Sequence, residues 1–128
     1  MASTPSFTST PRLGSGQVSA ANTNRDGTGT LVSVLTGAAA GTKVFEVAVV
    51  ATVTTTAGMV RLYIDDGTNV RLFDEIPVTA VTGSASVAEF RALRKYSSLV
   101  LPSTSHILKA STHNAEAINV FAHGGDLS

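Results

Sequence analysis

The chain has 128 residues, 9 Lys+Arg against 9 Asp+Glu, no Cys and no Trp, a length that suits one domain with a real core. Zero net charge removes the electrostatic footprint of sequence-independent nucleic-acid binding, and the lack of Cys rules out disulfides, thiolate zinc sites and a Cys nucleophile. With 17 Thr, 15 Val and 4 Ile, stiff β-branched side chains dominate, which favours pleated sheet over helix.

Residues 1–16, MASTPSFTSTPRLGSG, hold seven Ser/Thr, two Pro and two Gly, with Arg12 as the only charge. Such a segment buries too little apolar surface to offset its ordering entropy, so it reads as an N-terminal arm, flexible or extended. It has neither a basic n-region nor an apolar h-region, so the expectation is a soluble protein made in a cytoplasm without a secretory signal. The longest apolar run, Val47–Ala51, is far below a membrane span.

Residues 17–128 read as one β domain of eight or nine short antiparallel strands. Asn22–Gly29 is dense in turn formers and reads as a tight loop, with Asn24, Arg25 and Asp26 as recognition candidates. Thr30–Thr36 is a core strand. Gly37–Gly41 is a small-residue loop: its glycines are too close, and Lys43 wrongly followed, for a phosphate loop. In Lys43–Thr54, Phe45, Val47, Val49, Ala51 and Val53 share one face at period two.

Met59–Asp65 and Val70–Ile76 form a hairpin around Asp66-Gly67-Thr68-Asn69, and Pro77 belongs at an edge or strand end. Val87–Tyr96 is ambiguous: Val87, Phe90 and Leu93 have helical spacing, but the neighbours favour strand. Leu99–Leu101, His106–Ser111 and Ala117–His123 complete the set. Strands at this spacing indicate an all-β sandwich or jelly roll.

No pattern of chemistry emerges. His106, His113 and His123 lack the close pair typical of zinc ligands, so no metal and no cofactor is expected. The pairs Asp65-Asp66 and Asp74-Glu75 alternate faces, and with Arg61 and Arg71 they read as a solvated mixed-charge surface. No Gly-x-Ser-x-Gly elbow accompanies the serines, and the chain reads as a non-enzyme. Tyr63 and Phe73 are the best candidates for an aromatic carbohydrate platform.

Three segments together resemble small virion-associated proteins of tailed phages and prophages. They are Ala21–Gly29; Thr56–Gly67 running on through Val70–Val78; and Ala110–Ala115 with the Gly124-Gly125-Asp126 ending. The likeness spans roughly residues 20–126 and leaves the arm out. It implies a sandwich or jelly-roll subunit serving as a capsid decoration (cement) protein on the phage head surface. The partner implied is the major capsid protein, and the self-assembly a homotrimer, with neither nucleic acid nor membrane bound. Candidate contacts are Phe7, Arg12 and Leu13 in the arm and Asn24, Arg25 and Asp26 in the loop. The alternative is a tail or baseplate component, or a host-surface carbohydrate-binding module.

Overall fold

A computed structural model describes residues 9–127. Eight strands form: β1 (Thr10–Val18), β2 (Val32–Thr36), β3 (Thr42–Ala51), β4 (Gly58–Asp65), β5 (Val70–Val78), β6 (Arg91–Leu101), β7 (Ile107–Thr112) and β8 (Ile118–Asp126). They make two four-stranded sheets, sheet A in the order β1-β8-β3-β6 and sheet B in the order β2-β7-β4-β5. Every pairing is antiparallel.

Four of the pairings join strands in nested fashion: β4 with β5, β3 with β6, β2 with β7, and β1 with β8. The chain is therefore one long hairpin, turning after β4 and rolled so that successive strand pairs alternate between sheets. This is the order of a jelly roll, and the all-β sandwich expected from composition is what forms. Val18, Val44, Val47, Val49, Val60, Leu62, Leu108, Ile118 and Val120 fill the space between the sheets. Each such side chain contributes roughly 1.5–3 kcal/mol when removed from water.

The hairpin forms where its turn signals place it. Asp66 accepts from the backbone N–H groups of Thr68 and Asn69 at 2.9 and 2.7 Å, and Gly67 takes a positive φ of 91°. Pro77 lies on β5, an edge strand, and is exposed.

Three sequence expectations change. First, Phe45 does not share the core face of Val47 and Val49. Val44 pairs with Gly124 and Glu46 with His123, so Phe45 is the extra residue of a β-bulge and the alternation inverts there. Val44 is fully buried and Phe45 is exposed; Val53 lies beyond the strand end and is exposed too. Second, the ambiguous segment is strand and not helix, but it starts at Arg91 and runs on through Leu99–Leu101. Phe90 enters the core while Leu93 faces outward, because strand alternation replaces the helical spacing.

Third, residues 10–16, read as part of the arm, form most of β1, so the division between residues 16 and 17 falls inside a strand. Thr10–Val18 pair with β8 over nine consecutive positions. Polar residues suffice because the ladder hydrogen bonds need no side chains. Close approach to β2 requires Gly14, since a Cβ there would run into the Val34 carbonyl oxygen.

Candidate functional site

β1 ends in sheet A and β2 begins in sheet B, so residues 19–31 must cross between them. This connection runs over the outer face of sheet B as a strap, starting where the Asn22 N–H donates to the Thr112 carbonyl at 2.8 Å. The strap closes on itself through Asn22, which is 5% exposed. The Asn22 Nδ2 donates to the Thr28 and Thr30 carbonyls, both at 3.0 Å, and its Oδ1 accepts from the Asn24 N–H at 3.0 Å. Positive φ at Gly27 and Gly29 completes the fold-back.

Beneath the strap lie Arg61 and Tyr63, the outward-pointing side chains of β4, which are 2% and 0% exposed. Arg61 spends its donors on three elements. Its Nε donates to Glu75 Oε2 at 2.9 Å, its Nη1 to the Asn22 carbonyl at 3.2 Å, and its Nη2 lies 3.2 Å from His113 Nδ1. A guanidinium has no lone pair to offer, so His113 Nδ1 accepts and the ring proton sits on Nε2. The Tyr63 hydroxyl donates to the Asn24 carbonyl at 2.7 Å, and Arg25 Nε reaches the same Glu75 Oε2 at 2.8 Å.

One carboxylate thus serves two guanidinium groups. Hydrogen bonding from Arg25 holds the Glu75 carboxyl below its ordinary pKa; desolvation opposes it, and hydrogen bonding from Arg61 adds a further lowering. Next to it, Asn114 Nδ2 donates to Thr56 Oγ1 and to the Ala57 carbonyl, and Glu116 accepts from Thr56. A shallow cavity of about 190 Å³ opens between Arg25, Gly58, Met59, Arg61 and His113. All three nitrogens of Arg61 have a partner, so the network fixes the strap.

The proposed contact residues divide between opposite faces of the molecule. Asn24, Arg25 and Asp26 stand on the strap over sheet B; Asn24 and Asp26 are tied to Thr28, and the Arg25 side chain is 59% exposed. Arg12 and Leu13 are on β1 in sheet A. Arg12 pairs with Asp126 at 2.9 Å and donates to the Thr36 carbonyl, while Leu13 is exposed. Phe7 lies outside the described residues.

Two readings of the hairpin surface are corrected. Arg71 is exposed as expected, but Arg61 is buried, because a segment some forty residues earlier covers it. Tyr63 is sealed by that same strap, so it makes no platform with Phe73; Phe73 instead faces Tyr96, with ring centroids 5.3 Å apart. The acidic residues are held separately: Asp65 by Lys109, Asp74 by Arg94 and Tyr96, Glu75 by Arg25 and Arg61. His106 closes a local turn with Ser103 at 2.8 Å, and His123 is exposed on sheet A. Among the described residues no group of three His, Cys, Asp or Glu is placed to hold a metal.

Neither a protein-family model nor a curated protein matches this chain. Three stretches singled out in the sequence, Ala21–Gly29, Thr56–Val78 and Ala110–Ala115, meet here, whereas Gly124-Gly125-Asp126 lies on β8 in sheet A. The first is the strap itself, the second supplies Thr56, Arg61, Tyr63 and Glu75, and the third supplies Thr112, His113 and Asn114. Arg61, Glu75 and His113 are the residues sequence reasoning missed, and their only sequence signal is that they fall within those segments.

The network makes stability depend on acid. Asp65, held down by Lys109 and the Gly67 N–H, behaves like Glu75. Both carboxyls have lowered pKa values in the fold, so the unfolded chain takes up protons first as pH falls. Their contribution is present above the ordinary carboxylate range and is lost below about pH 5. Thermal melts from pH 7 to pH 3 will show a falling melting temperature, and Glu75→Gln will flatten that fall. Parallel curves for the two proteins would show that Glu75 contributes nothing.

Proposed function

We propose that the chain is a non-catalytic virion structural protein of a tailed phage or prophage, a decoration protein bound to the outer surface of the head. The observation that supports this reading is the convergence of the three resembling segments. The stretches within residues 21–115 fold into one hydrogen-bonded unit on sheet B, while the Gly124-Gly125-Asp126 ending stands apart on β8 in sheet A.

The strap suits such a role physically. A surface already ordered in the free protein loses little conformational entropy on binding, so shallow polar contacts retain more of their energy. Repetition of modest contacts over a symmetric shell raises effective affinity without a deep pocket. The major capsid protein is the partner, and the resemblance supplies a trimer as the first stoichiometry to test.

The test uses heads from a phage whose copy of this gene is deleted. Purified protein added to such heads will co-sediment to a fixed number of copies per shell and make the heads more resistant to heat. Substitution of Arg25 by Glu will reduce binding at least tenfold while leaving the melting temperature of the free protein within a few degrees. Absence of saturable binding, or binding to tails instead, would overturn the assignment to the head.

A carbohydrate-binding reading has one observation in its favour. Phe73 and Tyr96 border an open depression of about 480 Å³ together with Ser97 and Ser98. Retention on immobilised host polysaccharide, lost in Phe73→Ala, would support that reading over the capsid one.

A further inference from the structure

The two outer faces of the sandwich are unlike each other. The strap covers much of sheet B, whereas no segment among the described residues crosses the outer face of sheet A. Four of the seven large apolar side chains that are exposed among the described residues stand on that open face: Leu13, Phe45, Leu93 and Val100. Phe121 and Val50 add partly buried apolar surface between them.

Strand register fixes the arrangement of this face. Its central row runs Ser15, Phe121, Ala48, Leu93 across β1, β8, β3 and β6, a sequence of small, large, small, large. Reversed, the row reads large, small, large, small. A second copy turned by 180° about an axis lying in the face, close to the strand direction, presents that reversed row. Phe121 of each copy then faces Ala48 of the other, and each Leu93 faces a Ser15.

The neighbouring row has the same property with charge. It runs Leu13, His123, Glu46, Lys95, and the rotation sets His123 against Glu46 and the aliphatic stem of Lys95 against Leu13. Across the next row, Gln17 meets Arg91. Such self-complementarity is what an isologous two-fold contact requires. Sheets stacked face to face cross at about 30°, a small displacement at the central strands.

The area is sufficient. Four strands about 4.8 Å apart and about nine residues long give a face of roughly 19 by 30 Å. With the relief of its side chains this is of the order of the roughly 800 Å² that each partner buries in a standard interface.

We infer that the outer face of sheet A is the contact between two copies of this chain, related by a two-fold axis passing between β8 and β3. This dimer does not rest on the capsid reading, and for the isolated chain it is an alternative to the trimer that the resemblance implies.

The absence of Cys allows a clean test. Gln17 and Arg91 are both exposed and sit on the two edge strands of sheet A, ~14 Å apart within one copy. A short thiol-reactive cross-linker that cannot span this distance, applied to the full chain carrying Gln17→Cys and Arg91→Cys, will give a covalent dimer and nothing larger. Sedimentation equilibrium of the wild-type chain will show the same dimer. Leu93→Asp, exposed and therefore harmless to folding, will raise the dissociation constant at least a hundredfold with little change in circular dichroism. A wild-type monomer at 100 μM, a covalent trimer or ladder, or a Leu93→Asp protein that associates as before would each overturn the inference.

Discussion

Arg61→Ala will destabilise the fold by about 3 kcal/mol, a drop of roughly 12 °C in melting temperature for a domain of this size. Breaking a buried ion pair by removing one partner costs about 3–5 kcal/mol, because the remaining polar groups stay desolvated. Here the lower end applies, since Glu75 is 28% exposed in its side chain and keeps Arg25. The Asn22 carbonyl and His113 Nδ1 both lose a donor, so the loss falls mainly on the strap. Arg61→Lys will recover only part, because a single ammonium cannot reach three acceptors set in the fan of a guanidinium. Urea denaturation measures the energy, and tryptic cleavage after Arg25 measures strap release. A loss below about 1 kcal/mol, with Arg25 no more cleavable than before, would show that the strap is held by other contacts.

Deleting residues 1–16 will abolish cooperative folding. If the segment were only an arm, the remaining chain would melt as the full protein does. The deletion instead removes seven of the nine positions at which β1 pairs with β8, Thr10 through Gly16, together with the Arg12–Asp126 ion pair. With each ladder bond contributing about 1 kcal/mol net, the loss approaches the 5–15 kcal/mol by which whole domains are stable. It also turns β8 into an unprotected edge, which invites aggregation. Gly14→Val tests the same point at full length. Its Cβ has no room beside the Val34 carbonyl, so β1 must move away from β2 at a cost of about 2 kcal/mol. A soluble 17–128 fragment with an unchanged melting temperature would show that β1 is dispensable.

These residues also show what could be read from the sequence and what could not. The Met59–Ile76 hairpin was legible because its signals are local: alternating apolar residues and an Asp-Gly turn close by. The tight loop at Asn22–Gly29 was legible for the same reason, since its Asn and Asp side chains bond to backbone a few residues away. Its position over sheet B was not, because that depends on Thr112, Arg61 and Glu75, remote in the chain. Arg61 looks like any outward-facing strand arginine until its cover is known. β1 was missed because Gly, Ser and Pro carry no apolar alternation, and its partner strand lies over a hundred residues later. The β3 bulge escaped notice because Phe45 keeps the period of the core residues it does not join.

On the proposed function, this jelly roll serves as a repeated external surface on a phage head. Cryo-electron microscopy of purified particles, with quantitative mass spectrometry of the same preparation, tests it most directly. The expected result is density fitting this sandwich on the outside of the shell, at symmetry-related positions and in many copies, with the strap of residues 19–31 facing the capsid protein. Particles that hold no copies on the head, or that carry the protein only in the tail, would contradict it.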